Sequence, residues 1–230
     1  MEDLGNPQSA AEFGYRSADR SLASRTDVDS CLSLAEKIAA RLNDTLNYVR
    51  REVVKEGVQV ACKAGCNFCC YLRVVITPYE AIALFRSLSQ MAPEQAQAIR
   101  QRVLANAERI AAMTEPEHFA ANLQCAFLVH GQCSVYSVRP SACAAHHSLR
   151  VEECEYVHNH PESFGSGDAR IPASALLLET REALRAGITR AMKERRLNND
   201  HRELHTAVAA ILRKPSVIAR WRSGRTLVRE

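Results

Sequence analysis

Cys62-Lys63-Ala64-Gly65-Cys66-Asn67-Phe68-Cys69-Cys70 places four thiols in nine residues, a density that core packing does not require. Thiolates are soft donors that select zinc, copper(I) or iron–sulfur. Cys66 and Cys69, two residues apart, can chelate one centre through a tight turn, and Gly65 eases that turn. A helical winding of residues 62–70 would put Cys62, Cys66, Cys69 and Cys70 on one face. An extended one would send Cys69 and Cys70 to opposite sides. Further along, QCAFLVHGQCSVYSVRPSACAAHH (residues 124–147) adds Cys125, Cys133 and Cys143, so two segments can close around one centre or two.

Zinc and a 4Fe–4S cluster each take about four protein ligands. Seven clustered cysteines, with Cys154 as an eighth candidate, therefore point to two centres, or to one centre plus thiols in another role. His146 and His147, just past Cys143, are candidates for a mixed site, as are Cys154 with His158. His118, His130, His201 and His205 rank below them. Cys31 stands apart and reads as a small buried apolar residue.

Working outward, the chain of 230 residues is 47% hydrophobic with 9 Gly and 8 Pro, which suits one sizeable core and a single domain. The opening MEDLGNPQSAAEFGYRS has neither a basic n-region nor an apolar h-region, which predicts a cytoplasmic location. In that reducing setting clustered cysteines are metal ligands or redox groups rather than disulfides. No apolar run approaches the roughly 20 residues of a membrane helix, so no membrane partner is expected. The formal charge of +4 is uneven: residues 181–230 hold 13 Lys/Arg against 5 Asp/Glu. Such a basic region can meet nucleic acid or an acidic partner, although its charges alternate with helix-period apolar residues as on a solvated helical face.

Residues 1–26 are polar without an apolar period and are predicted to be disordered. Cys31, Leu34, Ile38, Leu42, Leu46, Val49 and Val53 then recur at three and four, predicting one long amphipathic helix capped by Asp27 or Asp29 and ended by Gly57. Tyr71–Ile76 reads as extended. Thr77-Pro78-Tyr79-Glu80 is a helix start with a capping box, and Pro93 opens another helix with Ala96, Ile99, Val103, Ala107, Ile110 and Met113 inward. Residues 117–160 show no period and read as loops and short turns. Pro161–Pro172 reads as a loop, with Gly165-Ser166-Gly167 merely flexible. Helices are predicted over 173–197, through Leu204, Val208, Ile211 and Leu212, and after Pro215 around Trp221. The expected architecture is mostly α: a single helical domain over 27–222 with irregular cysteine-rich metal-binding loops at 60–160, and a C-terminal tail over 223–230.

These residues resemble the YkgJ-type cysteine-cluster family, also called CxxCxxCC, a zinc- or iron-chelating domain. The resemblance rests on Cys62-x3-Cys66-x2-Cys69-Cys70, on Thr77-Pro78-x-Glu80-Ala81, and on Cys125-x-Phe127-Leu128-x2-Gly131-x-Cys133-x-Val135-Tyr136-x2-Arg139-Pro140-x2-Cys143, and covers residues 60–145. It implies that Cys62, Cys66, Cys69, Cys70, Cys125, Cys133 and Cys143 serve a metal, either an iron–sulfur cluster (4Fe–4S) or zinc, with iron–sulfur slightly preferred. It also implies a redox role or one accessory to a modification reaction, since members are associated with flagellin lysine methylation. Two positions depart from the pattern: Ala126 stands where the family usually has proline, and Ala144 where it usually has arginine. Arg139, before a proline that starts a short helical turn, is placed to pair with a carboxylate or to donate to an anionic thiolate centre.

Cys62-x3-Cys66-x-Phe68-Cys69 is also similar to the CxxxCxΦC motif of radical S-adenosylmethionine enzymes, but their βα alternation is not visible in this chain. No nucleotide loop, Ser-His-Asp order or carboxylate pair stands out, and a metal-held thiolate is not free to attack. The sequence leaves the enzyme question open. The competing function is a zinc-stabilised interaction module whose basic C-terminal helices engage an unknown acidic protein partner or nucleic acid.

Overall fold

Helix α2, Val28–Lys55, carries the predicted apolar stripe and runs through the centre of the molecule. The computed structural model describes residues 4, 6–23, 27–63 and 65–228. Asp27 caps α2, its carboxylate accepting the Ser30 N–H at 2.7 Å, and Gly57 follows the helix end at φ +94°, a conformation open to glycine. Cys31, Leu34, Ile38, Leu42, Leu46, Val49 and Val53 are all buried. Cys31 is therefore a core residue, as its place on the stripe predicts.

Helices from both ends and the middle of the chain pack on this one, and the chain is mostly α as expected. Helix α3 (Pro78–Ser87) packs on α2, and α4 (Pro93–Ala111) and α10 (Leu204–Arg213) pack on each other, with α10 also touching α3. Helix α11 (Val217–Arg222) reaches α2 and seals the core with Trp221, whose indole N–H donates to the Asn198 carbonyl at 2.8 Å. Two short ladders tie the irregular parts together: β1 (Val75–Ile76) pairs antiparallel with β4 (Arg202–Glu203), and β2 (Leu128–Val129) with β3 (Gln132–Cys133). No helix among the described residues is long and apolar enough to cross a membrane.

The expectation of disorder over 1–26 is corrected. Pro7–Leu22 forms helix α1, with Asn6 capping the amides of Gln8 and Ser9; residues 1–3, 5 and 24–26 lie outside the described residues. Helix α1 packs along α9 (Ala175–Glu194). Its buried face is Ala10, Gly14, Ala18 and Leu22, a stripe of small residues that a search for large apolar side chains passes over. A Cβ on Gly14 would collide with the Leu184 carbonyl, and one on Gly187 with the Ala11 carbonyl; backbone contact that close is open only to glycine. Charge completes the pairing: Arg190 bonds Glu12 at 2.7 Å, Arg195 bonds Asp19 at 2.6 Å, and the Tyr15 hydroxyl donates to Glu194 at 2.6 Å.

Two smaller expectations also change. Pro161–Ser166 is a short helix, α8, started by proline in the first helical position. Residues 223–228 fold back, burying Leu227 against the core; 229 and 230 lie outside the described residues.

Candidate metal centre

Neither the helical nor the extended winding of residues 62–70 is adopted. Gly65 turns the chain at φ +86°, and Phe68–Tyr71 forms a single 3-10 turn. Adjacent side chains in a 3-10 turn stand about 120° apart, so Cys69 and Cys70 are not opposed, and their thiols hydrogen-bond each other. The two cysteine segments meet through their backbones, the Cys125 N–H donating to the Cys70 carbonyl at 2.7 Å. From Cys125 the chain enters the β2–β3 hairpin, whose turn residues His130 and Gly131 both have positive φ, as tight hairpin turns favour. This brings Cys133 back opposite Leu128. A 3-10 turn (Tyr136–Val138) and helix α6 (Ser141–Ala145) then present Cys143, with Pro140 at the helix start as expected.

The thiols fall into two neighbourhoods. Burial drives the Cys143 thiol well above the ordinary range, and Cys125, Cys69 and Cys133 push it further. Cys125 is pushed up to about 12, first by burial, with Cys133 and Cys69 among its neighbours. Cys133 is raised by burial and by Cys69, and Cys69 is raised by its bond to Cys70 and by burial. Cys69, Cys125, Cys133 and Cys143 thus form an inner quartet. Cys66 is raised by burial and feels Cys62 and Cys69; it lies on the outer side with Cys62.

Several groups oppose these upward shifts and favour thiolate. Cys66 accepts the Phe68 amide, Cys125 the Phe127 amide, and Cys133 the Val135 amide, each two residues further along. The Ser148 N–H donates to Cys62 Sγ at 3.3 Å. Arg139 lowers the pKa of Cys69, Cys133 and Cys143. Its guanidinium is buried, lies 4.1 Å over the Tyr136 ring, and donates to the side-chain oxygens of Asn43 at 2.8 Å and Asn47 at 2.7 Å. No carboxylate among the described residues pairs with it. Of the two roles expected for Arg139, the position beside the thiols is the one adopted.

Two buried acids hold the loops. Glu80 has one carboxylate oxygen on the Thr77 N–H and hydroxyl, both at 2.8 Å, and the other on the Ser141 N–H at 2.8 Å. It therefore joins the start of α3 to the start of the helix carrying Cys143. Glu203 accepts from His205 Nδ1 at 2.8 Å, leaving Nε2 to accept the Ala126 N–H at 3.2 Å. Proline at 126 would have no N–H to give, so this departure from the family pattern serves the anchor of the Cys125 loop. Ala144 is fully buried, a place with no room for an arginine.

The histidine candidates separate. In His147 both ring nitrogens are engaged by backbone: Nδ1 faces the Ala145 carbonyl at 2.8 Å and Nε2 accepts the Ser174 N–H at 2.6 Å. That ring staples α6 to the start of α9. Burial, reinforced by His147 and Arg181, lowers the pKa of His146 to about 4, so its ring is neutral; its Nε2 is buried without a partner. Cys154 and His158 sit together on helix α7 (Val151–Asn159), against the 3-10 turn of Cys69 and Cys70. Sequence reading missed Asn43, Asn47 and the Glu203–His205 pair. The one available sign was two asparagines a turn apart beside the apolar stripe of α2.

As the side chains stand, no group of three or more His, Cys, Asp or Glu among the described residues forms a closed ligand set. Uncharged thiols pack as small apolar groups with nothing to draw the sulfurs to one point. The donor chemistry nonetheless fits a soft cation, because partly buried thiols flanked by amide N–H donors and one arginine charge are stabilised as thiolates once a positive ion is present.

No curated protein and no solved structure matches the chain. Residues 61–162 match the family model described as "CxxCxxCC: Putative zinc- or iron-chelating domain", a span that runs from just before Cys62 through α7 and reaches beyond the 60–145 of the resemblance. The part of the chain that gathers its cysteines is therefore similar to the CxxCxxCC family.

Proposed function

We propose that Cys69, Cys125, Cys133 and Cys143 hold a 4Fe–4S cluster that serves a redox step, either electron transfer or support of a modification reaction on a protein partner. The observation that carries this reading is what already favours charge on the sulfurs: the amides of Phe127 and Val135 and the positive charge of Arg139. Hydrogen bonds to sulfur and nearby charge are what set the potential of such a centre. When bound, the cluster would supply one-electron chemistry. The chain itself would supply four thiolates, offset part of their charge with Arg139, and exclude water with the buried Ala126, Phe127 and Ala144.

Zinc in the same quartet is the alternative, and would make the centre a structural staple with function left to the basic C-terminal helices, facing an acidic partner or nucleic acid. Two of those charges, Arg190 and Arg195, are taken up by Glu12 and Asp19 of α1, which favours the first reading. Purification without oxygen followed by metal and sulfide analysis decides between them. The cluster predicts iron, sulfide and broad visible absorbance that bleaches on reduction. A colourless protein with stoichiometric zinc would replace it with the structural reading.

A further inference from the structure

Cys62 and Cys66 stand outside the inner quartet, and Cys154 joins them from a third segment. Ser148 lies beside two of these sulfurs: its N–H donates to Cys62 Sγ at 3.3 Å, and its side chain offsets part of the upward shift that burial gives the Cys154 thiol. The Ala61 N–H to Ser148 carbonyl bond, 2.8 Å, fixes the two strands of chain side by side. Cys154 is buried on α7. One turn further along the same face, His158 packs its ring against Phe68, at 5.5 Å between centroids, and Tyr71, at 4.6 Å. These two aromatic residues bound the 3-10 turn that carries Cys69 and Cys70. The Nδ1 of His158 is buried and has no hydrogen-bond partner, an arrangement that costs free energy unless something else satisfies the nitrogen.

We propose that Cys62, Cys66 and Cys154, with Nδ1 of His158, form a second, outer metal centre of the zinc class. Three sulfurs and one imidazole nitrogen are a standard structural zinc set, and the nitrogen distinguishes this centre from the all-sulfur quartet. It gives a ligand role to the buried nitrogen of His158, and it accounts for the surplus of thiols over the four that one centre takes. Binding of the ion would release the thiol protons. The inference rests on the reading of the domain as a thiolate metal site, and it uses none of the quartet's ligands.

Zinc(II) loading of the full chain, with unbound ion removed and zinc counted per chain, tests it. Cys154→Ser and His158→Ala should each hold one zinc fewer than the wild type, whatever occupies the quartet, while Cys143→Ser should keep the outer zinc. Equal zinc in the wild type, Cys154→Ser and His158→Ala would overturn the outer centre. If instead those two variants each lose one zinc but Cys143→Ser loses neither zinc nor iron, the outer centre stands and the inner quartet falls. Loading with cobalt(II) gives a second readout that does not depend on how well a variant folds. The wild-type d–d spectrum should contain a component from mixed sulfur–nitrogen ligation, and a purely all-sulfur spectrum would count against His158.

Discussion

Cys143→Ser should strip the inner centre of its metal and lower stability by about 4 kcal/mol or more, a large part of the roughly 5–15 kcal/mol typical of a folded domain. Cys143 feels each of the other three quartet members, with Cys125, Cys69 and Cys133 adding to the rise that burial gives its pKa. Serine cannot replace a soft thiolate ligand. Because a metal bound only by the folded chain adds its binding free energy to folding, losing the site loses that contribution. Cys31→Ser is the control: Cys31 is fully buried on the core face of α2, so it should cost only about 1–2 kcal/mol for burying a hydroxyl and leave metal content unchanged. Chemical denaturation with metal analysis of both variants reads the difference.

Glu80→Gln should cost about 3 kcal/mol and weaken metal binding by roughly ten- to a hundredfold without touching a ligand. The Glu80 carboxylate accepts from Thr77 through one oxygen and from the Ser141 N–H through the other. A glutamine has only one oxygen to offer, so its NH2 must face either the Thr77 donors or the Ser141 N–H, and a buried donor goes unmet. The start of α6 then loosens, and with it Cys143. Competition for zinc against a chelator of known strength measures the effect. Wild-type metal affinity in Glu80→Gln would show that Glu80 stabilises the fold without positioning the centre.

Where a structural device uses large apolar residues or strong local chemistry, the sequence carries it openly. The α2 stripe, its cap at Asp27, the Thr77-Pro78-x-Glu80 start and the core placement of Cys31 are of this kind. Helix α1 was hidden because its packing face is Ala10, Gly14 and Ala18, whose value lies in letting backbones approach rather than in apolar area. Its signs were local: Asn6 before Pro7, a cap and a first-turn proline. The hairpin at His130-Gly131 was hidden because its strands are only two residues long, too short for a period of two to register. At the site, the clustering of the cysteines was legible from their spacing, but which sulfurs become neighbours depends on long-range closure. So do the roles of His147, which staples backbone, and of Glu203 with His205, which reach Ala126 from 79 residues away. Spacing along a chain does not report such contacts.

X-ray absorption at the metal edge of the protein as isolated tests the central claim most directly, because it counts the atoms bound to the metal. The account predicts a first shell dominated by sulfur at about 2.3 Å, with sulfide-bridged iron neighbours if the inner quartet holds a cluster. A shell made mainly of oxygen or nitrogen would contradict it, and would mean that the gathered cysteines are not what holds the metal.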